Sequence, residues 1–199
     1  PAFTTDRLQP RWSGGDLLLQ VCSDDVLLLS YAVRRLVRDA RTIATVRWRQ
    51  PGFNPARGSE PAGTTPRNLM GQRDGTANPA PGSAELAAAV WDRDGPQWLR
   101  GGSMLVLRRI RMDVDAWDDL GRAGKELATA RRMDTGAPVT GGTERDRPDT
   151  SVLDRLGLPV VADEAHVVRA TARTPAERML RRGFSYDDGP AADGRPDAG

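Results

Sequence analysis

The chain has 199 residues and a mass of 21.6 kDa, enough for one large or two small domains with a buried core. Its 29 basic and 27 acidic residues nearly cancel to a formal charge of +2 and alternate in sign along the chain, which argues against a nucleic-acid binder despite a pI near 9.2. No apolar run is long enough to cross a bilayer, and Cys22, the only cysteine, excludes an intrachain disulfide or a thiolate metal cluster.

The opening residues Pro1–Thr5 carry no basic-then-apolar signal, which leaves open both a cytoplasmic chain and an exported chain whose signal was removed. Residues 1–15 read as a loop feeding a short apolar run, Asp16–Cys22, predicted to be a buried strand with Cys22 as a buried structural thiol. Ser23-Asp24-Asp25 offers a helix cap, and the helix is predicted to run to Ala40 with Leu29, Val33, Leu36 and Val37 on one face. Thr42–Gln50 alternates apolar and polar side chains and is predicted to be a half-buried strand.

From Pro51 to Pro81 the chain is rich in Pro and Gly and shows no period. A loop this long inside a domain is usually functional or disordered. Within it, Gly71-Gln72-Arg73-Asp74-Gly75 sets two glycines around one carboxylate, which reads either as a plain Asp-Gly turn or as a site loop where the backbone bends tightly. A short helix running into a strand is predicted over Ala84–Trp91, a turn over Asp92–Pro96, and the clearest strand over Ser103–Met112. Helices follow over Asp113–Leu120 and Arg122–Met133, then a loop-rich stretch over 134–162. Arg178–Tyr186 reads as a strand ended by a turn at Asp187–Gly189, and the tail from Pro190 as disordered.

His166 is the only histidine. A lone histidine is commonly a hydrogen-bonded structural residue. No second His or Cys lies at zinc-ligand spacing, and no Gly-x-Ser-x-Gly elbow supports a serine hydrolase. Haem iron needs only one protein ligand, so among metals a single His fits haem best.

Several collinear segments complete the picture: Thr65–Pro79, Asp94–Ser103, Arg108–Met112, Asp134–Pro138, Ala165–Val167 and Leu180–Tyr186. In this order and spacing the chain resembles the dye-decolourising peroxidases, in particular the exported branch that includes deferrochelatase/peroxidases. The resemblance implies an α+β fold of two ferredoxin-like halves, built of antiparallel sheets and helices, that enclose haem b. It places a partial first half at 1–100, a partial second half at 101–189 and a tail at 190–199. Relatives begin before the position of Pro1 and continue past Tyr186, so each sheet is expected to be incomplete in this chain.

The resemblance also implies a hydrogen-peroxide-dependent enzyme that oxidises dyes, phenols or other bulky reductants, with iron release from haem as the alternative activity. Asp74 matches the distal acid-base residue, Arg181 the distal arginine and His166 the proximal iron ligand. Gly75, Thr76, Ala77, Thr171, Ala172, Arg173 and Arg181 match haem contacts, and Trp98 and Tyr186 are candidate electron relays. Gln72 departs from the usual Phe, and Val168 from the usual Arg. A location outside the cytoplasm follows from the branch alone, self-association is left open, and a non-catalytic haem-binding relative is the rival reading.

Overall fold

The computed structural model describes residues 3–199. These form two compact units, one of the described residues up to 52 with 56–59 and one of residues 53–55 with 60–199. In the first unit the helix α1 spans Val26–Ala40. It starts where predicted because the Asp25 carboxylate accepts from the amides of Leu27 (2.8 Å) and Leu28 (3.2 Å), two of the donors that a helix start leaves unpaired. Leu29 and Val33 are half-buried, whereas Leu36 and Val37 are exposed, so the apolar stripe is only partly covered.

In the second unit, α2 is Ala84–Val90, α3 is Val114–Asp118, α4 is Arg122–Thr129 and α5 is His166–Ala170. Ser83 caps α2 through its hydroxyl, which accepts from Leu86 N at 3.1 Å. The core of this unit joins Ala130, Val161 and Ala165, with Val139, Val167 and Val168 packed on them. Buried Trp117 of α3 donates its indole N–H to the Met70 carbonyl at 2.9 Å, pinning the long loop to a helix.

Helix α4 stops four residues before the predicted Met133. Ala130 takes a left-handed conformation (φ 57°), the only positive φ outside glycine among the described residues, and its carbonyl receives Val139 N at 3.0 Å. Such a conformation costs about 1–2 kcal/mol for a non-glycine residue. The reversal is held by Glu126, a buried carboxylate that accepts from Met133 N (3.1 Å), Arg122 Nε (2.9 Å) and Arg132 Nη1 (2.9 Å).

The predicted strands differ most from the structure. Asp16–Cys22, Thr42–Gln50, Ser103–Met112 and the stretch from Arg178 form no ladder, and Thr42 and Ile43 lie in the turn that follows α1; Ser185 alone forms an isolated bridge, to Phe53. Their apolar residues face solvent, with Leu17 81%, Ile43 85% and Met104 82% exposed. Alternation favours an extended backbone, but a strand needs a hydrogen-bonded neighbour, which local pattern cannot supply. For the same reason Cys22 is exposed rather than buried.

The tail from Pro190, predicted to be disordered, is ordered instead. Among the described residues the one sheet is the antiparallel pair β1 (Asp187–Pro190) and β2 (Pro196–Ala198), so the predicted turn at 187–189 is a strand and the reversal lies at 191–195. Composition misled because the tail is stabilised by contacts outside itself. Met112 N donates to Ala198 O (2.8 Å), Tyr186 and Gly199 exchange both backbone hydrogen bonds (2.8 and 3.1 Å), and Arg109 bonds Asp188 and Asp197 at 2.9 Å each. Among the described residues the α+β fold thus has one small, incomplete sheet.

Candidate active site

The loop of residues 65–79 is ordered by its own polar groups. Asp74 N donates to Pro66 O at 2.9 Å, Asn68 N to Gln72 O at 2.9 Å, and the Asn68 side chain accepts from Met70 and Gln72 amides. Three arginine and glutamate residues then brace it. Arg67 reaches the carbonyls of Gly71 (2.6 Å), Met133 (2.7 Å) and Asp134 (2.8 Å), while Arg73 donates to Thr65 O at 2.7 Å. Glu144 lies 3.7 Å from Arg73 Nε and accepts from the Thr76 hydroxyl at 3.1 Å, so it grips the residues on both sides of Asp74–Gly75. Gly75 has φ +109°, a conformation that side chains rarely adopt, and a Cβ there would stand 3.3 Å from Asn78 Nδ2.

Asp74 emerges half-buried from this frame. Arg181, from the extended stretch before β1, brings Nη2 to 3.9 Å from Asp74 Oδ1. Gly183 backs the same carboxylate, with room for a Cβ 3.6 Å from Oδ2. At 32% and 56% side-chain exposure the pair is screened and long, so its Coulombic attraction contributes little to stability. Its value lies in setting a carboxylate and a guanidinium side by side.

His166 opens α5, directly after buried Ala165. Its side chain reaches solvent, yet the surrounding protein still desolvates the ring. That desolvation, and then the positive charge of Arg181, hold the imidazole below its ordinary range, with the Asp74 charge opposing. The ring is therefore neutral near pH 7 and has a lone pair to give a metal. Among the described residues no group of three His, Cys, Asp or Glu is placed to hold a metal ion.

Of the predicted site residues, the structure brings Asp74, Arg181 and His166 within electrostatic reach of one another. Gly75 and Thr76 are half-buried and Ala77 exposed on the Asp74 loop. Thr171, Ala172 and Arg173 follow α5; Thr171 donates its hydroxyl to Val167 O (2.6 Å), and Arg173 N donates to Glu177 (2.7 Å). Trp98 stands 83% exposed, whereas Tyr186 is buried with Arg109 4.0 Å above its ring. The sequence reading missed Asn78, Arg67 and Glu144, whose roles depend on partners far along the chain. The one signal for Asn78 was an amide four residues after Asp74 in an irregular loop.

Two family models match the chain, "Dyp-type peroxidase, N-terminal" over residues 1–54 and "Dyp-type peroxidase, C-terminal" over residues 65–199. The chain is 44% identical over 205 residues to a dye-decolorizing peroxidase from Thermobifida fusca, and 35% to a deferrochelatase from Escherichia coli O6:K15:H31. These alignments take in 100% and 99% of this chain but 48% of each relative, so the chain spans about half the length of the curated relatives it matches. The crystal structure of a DyP-type peroxidase from Cellulomonas bogoriensis superposes with a TM-score of 0.92 at 47% identity, and ferric DtpA from Streptomyces lividans with 0.91 at 43%, each covering 100% of this chain and 55% of the solved one. Both the sequence matches and the superpositions place this chain in the Dyp-type peroxidase family.

Proposed function

We propose that this chain carries the haem and peroxide site of a peroxidase that reduces hydrogen peroxide and oxidises dyes, phenols or similar bulky reductants. The observation that carries the reading is the Asp74–Arg181 pair, whose two charges both act on the one imidazole, His166. Haem b fits the donor set: His166 would ligate iron, and Gly75, Thr76, Ala77, Thr171, Ala172, Arg173 and Arg181 would contact the macrocycle. When bound, the haem iron supplies the redox chemistry.

The residues of this chain handle protons and charge. Asp74, its carboxylate open to solvent on one side, takes a proton from one peroxide oxygen and returns it to the other, which makes that oxygen a better leaving group. Arg181 cannot lose its charge at working pH and stabilises the negative charge that builds as the O–O bond polarises. Gly183 keeps the space beside the Asp74 carboxylate free of a side chain.

The deciding experiment is an absorption spectrum of the haem-reconstituted protein followed by peroxide addition. A Soret band that changes in His166→Ala is expected; no band, or one that His166→Ala leaves unchanged, overturns the assignment. Asp74→Asn should slow peroxide cleavage by about 100-fold or more, within the range of a lost acid-base group, while haem affinity holds. The relatives named deferrochelatase favour a second reading, release of iron from haem, which would yield the free porphyrin.

A further inference from the structure

Asp74 and Arg181 lie 107 positions apart in sequence and their side chains are joined only by a long, screened ion pair. Something else must set their spacing. The Asn78 side chain donates from Nδ2 to Arg181 O at 2.8 Å and accepts at Oδ1 from Arg181 N at 2.9 Å. One amide thereby satisfies both backbone groups of Arg181, in a stretch that forms no ladder there. Asn78 is in turn fixed to the Asp74 loop, because its own N–H donates to Gly75 O at 2.9 Å and the absence of a Cβ on Gly75 leaves Nδ2 room to turn outward.

We infer that Asn78 is a positioning residue that clips the Arg181 backbone to the loop bearing Asp74, and so sets the distance between the proton-carrying carboxylate and the charge-stabilising guanidinium. The inference rests on the proposed roles of those two residues, but the clip itself is independent of any bound group. No other common side chain can replace it in full. Asp in place of Asn keeps the acceptor for Arg181 N and turns an oxygen toward Arg181 O, whereas Gln carries the amide one methylene too far. A misplacement on the order of 1 Å costs catalysis about 100-fold in a preorganised site.

The test has two arms. In the haem-free protein, amide exchange at Arg181 should quicken about ten-fold in Asn78→Ala, the worth of one hydrogen bond, while protection in α4 and around Ala165 is unchanged. In the haem-loaded protein, Asn78→Ala should lower the rate of peroxide cleavage at least ten-fold without lowering haem occupancy, and Asn78→Ala combined with Arg181→Ala should be no slower than Arg181→Ala alone. If Asn78→Ala does not fold, Asn78→Asp serves: it keeps Arg181 N protected yet should still slow cleavage. Unchanged exchange in Asn78→Ala, loss of protection across the whole unit, or losses that multiply with Arg181→Ala each overturn the positioning role. An Arg181→Ala enzyme with unimpaired cleavage overturns the reading of Arg181, and with it the catalytic purpose of the clip, while leaving the exchange result standing.

Discussion

Replacing Glu144 by Ala tests whether the loop around Asp74 is braced as its contacts indicate. The change removes the acceptor of the Thr76 hydroxyl and the ion pair with Arg73, whose side chain is 14% exposed against 24% for Glu144. A hydrogen bond to a charged group is worth about 1.5–3 kcal/mol, and partial exposure puts this one at the low end. The ion pair, at 3.7 Å, adds about 0.5–1 kcal/mol. Arg73 keeps Thr65 O at 2.7 Å and Glu60 at 3.5 Å, so its charge is not stranded. The expected loss is about 2–2.5 kcal/mol, read as a lower urea midpoint at unchanged m-value. Glu144→Gln can still accept from Thr76 and should lose only about 1 kcal/mol. An Ala variant within about 0.5 kcal/mol of the parent, or a Gln variant as unstable as Ala, refutes the reasoning.

Two further predictions concern pH. The His166 pKa is lowered on folding, so the unfolded chain takes up the proton first as pH falls; the stability this group contributes is complete above its ordinary value of 6.5 and declines below it. NMR titration of the haem-free protein should find the imidazole midpoint raised in Arg181→Ala and lowered further in Asp74→Asn; the opposite signs would contradict the charge arrangement. Glu126 is held below the ordinary carboxylate range first by the Met133 amide and then by Arg122 and Arg132. Its contribution is present above the unfolded-state value and lost as pH falls through the native one, so urea midpoints measured from pH 6 to 3 should decline less steeply in Glu126→Gln.

Local chemistry made the helices legible. The side-chain caps Asp25, Ser83 and Asp113 all lie beside the elements they stabilise, and α1, α2 and α3 formed where their patterns placed them. The strands were not legible in the same sense, because Leu17–Leu19 or Met104–Leu107 can prefer an extended backbone without any neighbour to pair with. The end of α4 depended on Ala137–Val139 folding back onto Ala130, a contact with no signature in the helix itself. At the site, Asp74, Arg181 and His166 could be named from a family resemblance, whereas Asn78 and Glu144 owe their roles to partners 103 and 68 positions away.

Gly199 has a consequence for the hairpin that ends the described chain. The strands β1 and β2 are short, polar and irregular in register, so they have no alternating apolar pattern to tell one alignment from the next. A Cβ at position 199 would overlap the Ile110 carbonyl and crowd the Tyr186 ring. Sliding β2 by one residue so that Ala198 takes the place of Gly199 would drive its Cβ into that space, so steric exclusion at a single glycine rejects this alignment, as hydrophobic alternation would in an ordinary sheet.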